Sequence, residues 1–248
     1  METKLNYKRT FLIGLAFLSI CSFWQMYDNI IPLILQNTYH LGETMTGAVM
    51  ALDNVLAIFL LPVFGALSDK VHTKLGRRMP FIVAGTILAV IFMMLLPMID
   101  NAEKSIWNTG ESFSNQVIFL AVLFFTLVSM GLYRSPAVAL MPDVTPNHLR
   151  SRANAVINLM GAVGGVYALI MIKVLVGKGE TPDYLPLFAS IAAVMAIAVG
   201  ILVITIRENK LREEVEKAEA ANAGTIEEKA MAEGVEAAGE IEAVGDTG

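Results

Sequence analysis

The sequence predicts an all-α membrane protein: six transmembrane helices in one bundle, followed by an acidic tail. Three observations point there. The 248 residues are 55% hydrophobic and only 17% charged, with a mean hydropathy of +0.60, whereas a soluble domain is about a quarter charged. Six apolar runs each approach the ~20 residues that an α-helix needs to cross the hydrocarbon layer. The connections that would face one side of the membrane hold most of the lysine and arginine.

Taken in order, residues 1–9 read as a short cytoplasmic N-terminus with Lys4, Lys8 and Arg9. The run from Thr10 to about Leu35 is too long for the apolar core of a signal peptide and lacks a small-residue cleavage pattern, so it reads as a retained first span. Five more spans follow at about 44–67, 79–99, 116–140, 152–176 and 184–206, which makes residues 10–207 the transmembrane bundle. Pro142 and Pro146 mark the end of the fourth span. Residues 208–248 form the tail. From Glu213 to Gly248, eleven acidic residues against Lys217 and Lys229 leave this segment at −9 and the rest of the chain at +4. Its Ala-Glu-Gly composition predicts a disordered or partly helical solvated segment on the cytoplasmic side.

Orientation follows from counting. Lys4, Lys8, Arg9, Lys70, Lys74, Arg77, Arg78, Arg150, Arg152, Arg207, Lys210 and Arg212 fall on one side; Lys104, Lys173 and Lys178 fall on the other. Twelve against three places both termini in the cytoplasm. The longest outer connection, 100–115, is polar and carries Asp100, Glu103 and Glu111.

A charge in mid-membrane costs about 2.5–3.5 kcal/mol on insertion scales, so each one in a span asks for a reason. Asp28 lies in the first span with Trp24 one turn before it and Pro32 one turn after, all on one face, flanked by Tyr27 and Asn29. Pro32 has no N–H to give the carbonyl of Asp28. A carboxylate, a free carbonyl and an aromatic ring on one face suit a sugar's hydroxyls or a cation. Asp53 lies in the second span, followed by Asn54, and antiparallel packing brings it to nearly the depth of Asp28. Two acids at one depth suit proton capture and release, or else coordinate a cation. Arg134 lies in the fourth span after Gly131 and Tyr133, at a level expected ~15 Å below Asp28. That level matches Asn154 and Asn158, one turn apart in the fifth span, so Arg134 is expected to face the cavity and contact Asn158, Asp143 or a substrate hydroxyl. Gly161 and Gly165 form a G-x-x-x-G pair that lets another helix approach. The run Phe92–Leu96 reads as lipid-facing or core filler.

Other chemistries find little support. Cys21 is the single cysteine and sits in an apolar run, and His40, His72 and His148 are scattered without ligand spacing, so no metal site is expected. There is no H-E-x-x-H, no G-x-S-x-G and no P-loop, which argues against an enzyme, and no cofactor is implied. No basic face lies outside the membrane-adjacent loops, so nucleic-acid binding is not expected.

Between the second and third spans runs GALSDKVHTKLGRRMP, with Gly65, Asp69 and Lys70 followed by Gly76, Arg77 and Arg78. This pattern resembles the loop between the second and third helices of the major facilitator superfamily. The longer insert VHTKL and the Arg-Arg-x-Pro-Phe ending are similar to the sugar–cation symporter branches, the sucrose-transporter-like and glycoside-pentoside-hexuronide-like ones. A second acid-then-basic stretch, MPDVTPNHLRSR with Asp143, Arg150 and Arg152, resembles the corresponding loop of the sucrose-type transporters. Both loops then read as cytoplasmic latches, ion-paired when the inside is closed.

The resemblance implies the N-terminal half of a major-facilitator fold, with the segment after the sixth span in the place of the family's central loop. It implies a secondary transporter that moves a sugar-like small polar solute by alternating access. It also supports a functional arginine on the fourth span. Where melibiose-type relatives carry sodium-binding acids, this sequence has Ala57 and Leu61, which favours protons over sodium. The expected partners are membrane lipid, the solute, a proton, and a second six-helix half as a separate chain, a missing segment or a self-copy. The competing reading is a non-transporting assembly or sensor subunit that uses its acidic tail to bind a partner.

Overall fold

A computed structural model describes residues 5–106, 112–177 and 182–220. Lys4, Glu111, Lys178 and the tail from 221 to 248, which enter the sequence reading above, lie outside the described residues. Among the described residues, six helical segments are long and apolar enough to cross a membrane, at the places the hydropathy predicts.

The first span is α1 (Tyr7–Asn37), opened by Asn6, whose side chain accepts the Arg9 N–H at 3.2 Å and satisfies one of the orphan donors of a helix start. The second span is two helices, α2 (Glu43–Met50) and α3 (Leu52–Lys70), meeting at Ala51. One continuous apolar run is all the sequence displays there, and the junction places Asp53 in the first turn of α3, where the exposed N–H groups favour a carboxylate. Then come α4 (Met79–Ile106), α5 (Ser112–Asp143), a 3-10 turn at Asn147–Leu149, α6 (Arg150–Leu175) and α7 (Leu185–Thr205). Helices α4 and α5 run beyond the apolar segments, so much of the expected 100–115 connection is helical. Pro142 lies inside α5 and does not stop it; the helix ends one residue later.

The closest pairs are α1 with α6 and α4 with α5, while α3 leans on α5 and α7 packs against α1 and α4. Helix α1 is central: Ile13, Ala16, Phe23 and Ile30 are all buried. The α1–α6 approach depends on Gly164, where a Cβ would lie 2.1 Å from the Leu18 carbonyl oxygen; Ser22 Oγ donates to the Gly164 carbonyl at 2.9 Å. At Gly161 a Cβ would meet Cys21 Sγ at 2.9 Å, but at Gly165 the nearest atom is 3.7 Å away, so Gly161 and Gly164 make the contact in place of the expected Gly161 and Gly165. Tyr133 of α5 reaches α1 through Ser19 Oγ at 2.6 Å. In the Phe92–Leu96 run, Met93 and Leu96 are core and Leu95 is exposed.

Helix α3 is the opposite case. Only Ser68 on it is buried, and Ile58, Phe59 and Val63 stand exposed. Beyond α7, residues 208–220 are helical, with Leu211 and Val215 buried against the bundle. Arg9 pairs with Glu214 at 3.3 Å, which brings the two ends of the described chain to one side.

Candidate functional site

Trp24 organises the polar interior. On α1 its ring meets Phe23 and Tyr27 edge-on, with centroids 5.3 and 5.4 Å apart. These contacts fix the indole as a wall between two cavities. The larger, about 420 Å³, lies between α1 and α6 and is lined by Cys21, Trp24, Gln25 and Asp28 on one side and by Asn158 and Gly161 on the other. Its size is that of a small-ligand site. The smaller, about 20 Å³, holds Asp53 and Ala57 of α3 and Gly131 and Arg134 of α5, closed again by Trp24. It has room for about one water.

Arg134 lies over the Trp24 ring, with its guanidinium carbon 5.5 Å from the centroid. This is cation–π geometry, in place of the contacts expected for it. The arginine packs on Trp24, the residue one helical turn before Asp28 on α1. It touches neither Asn158 nor Asp143: Asn158 lines the other cavity, and Asp143 is engaged by Arg77 and Arg78. Helix spacing alone missed this because a long arginine side chain reaches about a turn along its helix. Among the described residues Arg134 has no hydrogen bond or ion pair.

Asp53 accepts from the backbone N–H of Asn54 at 2.7 Å and from its side chain at 2.9 Å. Asp28 and Asp53 lie within electrostatic reach of each other and of Tyr27. Two buried donors, Trp24 Nε1 and the Tyr27 hydroxyl, find no acceptor among the described residues. Of the residues singled out in the sequence, Trp24, Asp28 and Asn158 share the larger cavity and Trp24, Asp53 and Arg134 the smaller. Asn29 and Asn154 are exposed and line neither; the Asn29 side chain donates to the Gln25 carbonyl at 2.7 Å. Sequence reasoning missed Gln25 and the cavity position of Cys21, since neither is costly in an apolar run.

At the end that holds the termini, Arg78 donates to Asp143 at 2.9 Å and pairs with Asp69 at 2.6 Å. It also reaches Ser68 Oγ at 2.5 Å and the Gly65 carbonyl at 3.2 Å. Arg77 pairs with Asp143 at 3.3 Å. The motif residues Gly65, Asp69, Arg77 and Arg78 thus tie the α3–α4 connection to the end of α5. Lys70 and Arg152 are exposed and have no such partner among the described residues. Arg150 caps α5 by donating to the carbonyls of Thr145 and Pro142 at 3.2 and 2.8 Å, so among the described residues the second stretch joins the ion pairs through Asp143 and not through its own arginines.

Glu208, wholly buried, belongs to this cluster although the sequence reading placed it in the tail. Its carboxylate accepts the N–H groups of Arg77, Arg78 and Met79 at 2.8 to 3.1 Å, capping the start of α4. Gly76, at φ +129°, makes room for it: a Cβ there would overlap the carboxylate.

A bundle of six membrane-crossing helices with a polar seam on one flank defines an integral membrane protein of the transporter-like kind. The chain belongs to the Major Facilitator Superfamily, whose family model matches residues 6–238. It forms the N-terminal six-helix half of that fold. It is 35% identical over 116 residues to the sucrose transport protein SUC4 of Arabidopsis thaliana, covering 44% of this chain and 22% of that protein. To the sucrose transport protein SUT3 of Oryza sativa subsp. japonica it is 25% identical over 137 residues, 52% of this chain and 27% of the relative. To SUC3 of Arabidopsis thaliana it is 27% identical over 120 residues, 45% and 20% respectively. The matched stretches thus span about a quarter of the length of these curated relatives.

Proposed function

We propose that this chain is half of a secondary active transporter that moves a sugar-like solute together with a proton by alternating access, with both termini in the cytoplasm. The observation that carries the reading is the pair of cavities sharing Trp24. A carboxylate, an amide and an indole line the larger one, which is large enough for a small solute. In the smaller one, a carboxylate and an arginine without an acid partner share a space of about one water. Sugar hydroxyls hydrogen-bond Asp28, Gln25 and Asn158, and the Trp24 ring offers an apolar face to stack on. Asp28 and Asp53, each within the other's field, take and release the proton. The names of the plant relatives favour sucrose or a similar disaccharide as the solute.

The exposed flank supports a second half. Helix α3 buries only Ser68 and α6 exposes Leu159, Val163 and Val166, on either side of the cavities. In inverted-repeat transporters the site lies at the interface between halves, so a six-helix partner covers this flank and completes the solute contacts. Nothing in the geometry favours catalysis over carriage.

Cys21 tests the reading without engineering, because it is the one cysteine and lines the larger cavity. The expected result is maleimide labelling of Cys21 that slows in the presence of sucrose and is unaffected by an equal concentration of a charged solute. Uptake of labelled sucrose by cells holding both halves should require an inward pH gradient and be abolished in Asp28→Asn. Uptake that ignores the pH gradient would overturn proton coupling, and labelling indifferent to every sugar tried would overturn the solute site.

A further inference from the structure

On the opposite flank of the bundle, away from the solute cavities, α4 and α7 enclose an apolar groove of about 410 Å³. Val83, Ile87 and Ile91 form one wall and Ala196, Gly200 and Ile204 the other. Both sets recur at every fourth residue, so the walls are two straight stripes about 12 Å long. That is close to the depth of one leaflet, half of a hydrocarbon layer of about 30 Å. Gly200 keeps the floor open, since a Cβ there would meet no atom within 4 Å. The polar group in the lining, Thr86, is satisfied by its own helix, donating to the Ile82 carbonyl at 2.7 Å.

The groove runs out at the end that holds the chain termini, and the charge there is one-sided. Ile204 lines the groove and is 85% exposed. Three residues on, Arg207 is exposed, followed by exposed Lys210. Asn209, between them, donates to the carbonyls of Thr73 and Lys74, which draws exposed Lys74 to the same place. None of the three cations has an acid partner among the described residues. The neighbouring acids are already occupied: Glu208 on backbone N–H groups, Glu213 by Lys217, and Glu214 by Arg9.

From an apolar slot one leaflet deep and a cationic mouth at headgroup height, we infer a binding site for an anionic phospholipid of the leaflet on the termini side. One acyl chain lies along the α4–α7 groove. The phosphate sits among Lys74, Arg207 and Lys210, where charge complementarity selects an anionic headgroup over a zwitterionic one. The site is independent of the solute reading, because it lies on other helices and uses none of the cavity residues.

Native mass spectrometry of the full chain, titrated in detergent with dioleoyl-phosphatidylglycerol or dioleoyl-phosphatidylcholine, tests it. The expected result is one phosphatidylglycerol retained in preference to phosphatidylcholine, with each basic residue contributing up to about fivefold in affinity. The double variant Lys74→Gln/Arg207→Gln should lose the preference while still taking up lipid. Gly200→Leu, which fills open space without a clash, should lose the tightly held lipid of either kind at an unchanged melting temperature. Equal retention of the two lipids, a preference that survives the double variant, or retention unaffected by Gly200→Leu would each overturn the site. So would a dimer that Gly200→Leu dissociates, since the groove would then hold a second copy of the chain.

Discussion

Both ends of the bundle are tied by charge, but the ties differ in kind. At the termini end, Arg78, with its side chain 7% exposed, is shared between Asp143 and a half-exposed Asp69. At the far end the acids are sealed: Asp100 is 0% and Glu103 2% exposed. Asp100 accepts from Thr38 Oγ1 at 2.7 Å and from Lys104 at 2.6 Å. Lys104 also donates to the Pro182 carbonyl at 2.7 Å and sits 4.6 Å over the Tyr184 ring. Glu103 accepts from Asn115 at 2.7 Å, and Asn101 donates to Asp183 at 2.8 Å. This knot joins the end of α1 and the outer parts of α4, α5 and α7. An ion pair with a half-exposed partner opens at little cost because water replaces the lost contact. A buried carboxylate has no such substitute. At the termini end the Asp69 pair is therefore the part built to loosen, while the far end is built to hold.

Substitutions can break or sharpen that contrast. The largest effect is expected for Arg78→Ala, which leaves Asp143 to Arg77 alone and removes the donor to Ser68 and Gly65 and the partner of Asp69: about 2–4 kcal/mol of stability lost from several charge-assisted bonds, read as a drop in the unfolding midpoint in detergent. Lys104→Ala comes next at about 1–3 kcal/mol, because Asp100 keeps Thr38 as a donor; a loss no larger than that of Asp69→Asn would erase the contrast between the sealed far end and the half-exposed Asp69 pair. Asp69→Asn should cost only about 0.2–1 kcal/mol and, under the proposed function, slow uptake while solute binding holds; a measured loss of binding would overturn the latch role proposed for Asp69. The smallest effect belongs to Asp183, whose carboxyl is held below the usual range first by the Asn101 amide and then by the Leu185 N–H. A lowered carboxyl contributes stability above its unfolded value, near pH 4, and loses it as pH falls through the folded one. The midpoint difference between wild type and Asp183→Asn should thus be constant at neutral pH and vanish only in strong acid.

The spans were legible because about twenty apolar residues in a row have one explanation. The termini of α4 and α5 were not, because a helix that leaves the hydrocarbon becomes polar without ending; Asp100, Glu103 and Lys104, three and four residues apart, are one helical face rather than a loop. The junction at Ala51 leaves no trace in an apolar run that continues through it. Asp28, Asp53 and Arg134 stood out because charge in a span is expensive, yet their grouping around Trp24 depends on how α1, α3 and α5 are rotated. Glu208 was hidden by composition: one acid before eleven others looks like tail, and only the backbone N–H groups of Arg77, Arg78 and Met79 reveal its role.

Trp24 lines both chambers, in company with Asp28 and Asn158 in one and with Arg134 in the other. An occupant that shifts the indole on one side changes the electrostatic surroundings of the guanidinium on the other. Thermodynamic linkage makes such influence mutual: the factor by which a guest in one chamber alters affinity in its neighbour is returned unchanged. Under the proposed function, a single aromatic plate would make the two binding events interdependent, with no movement of any helix.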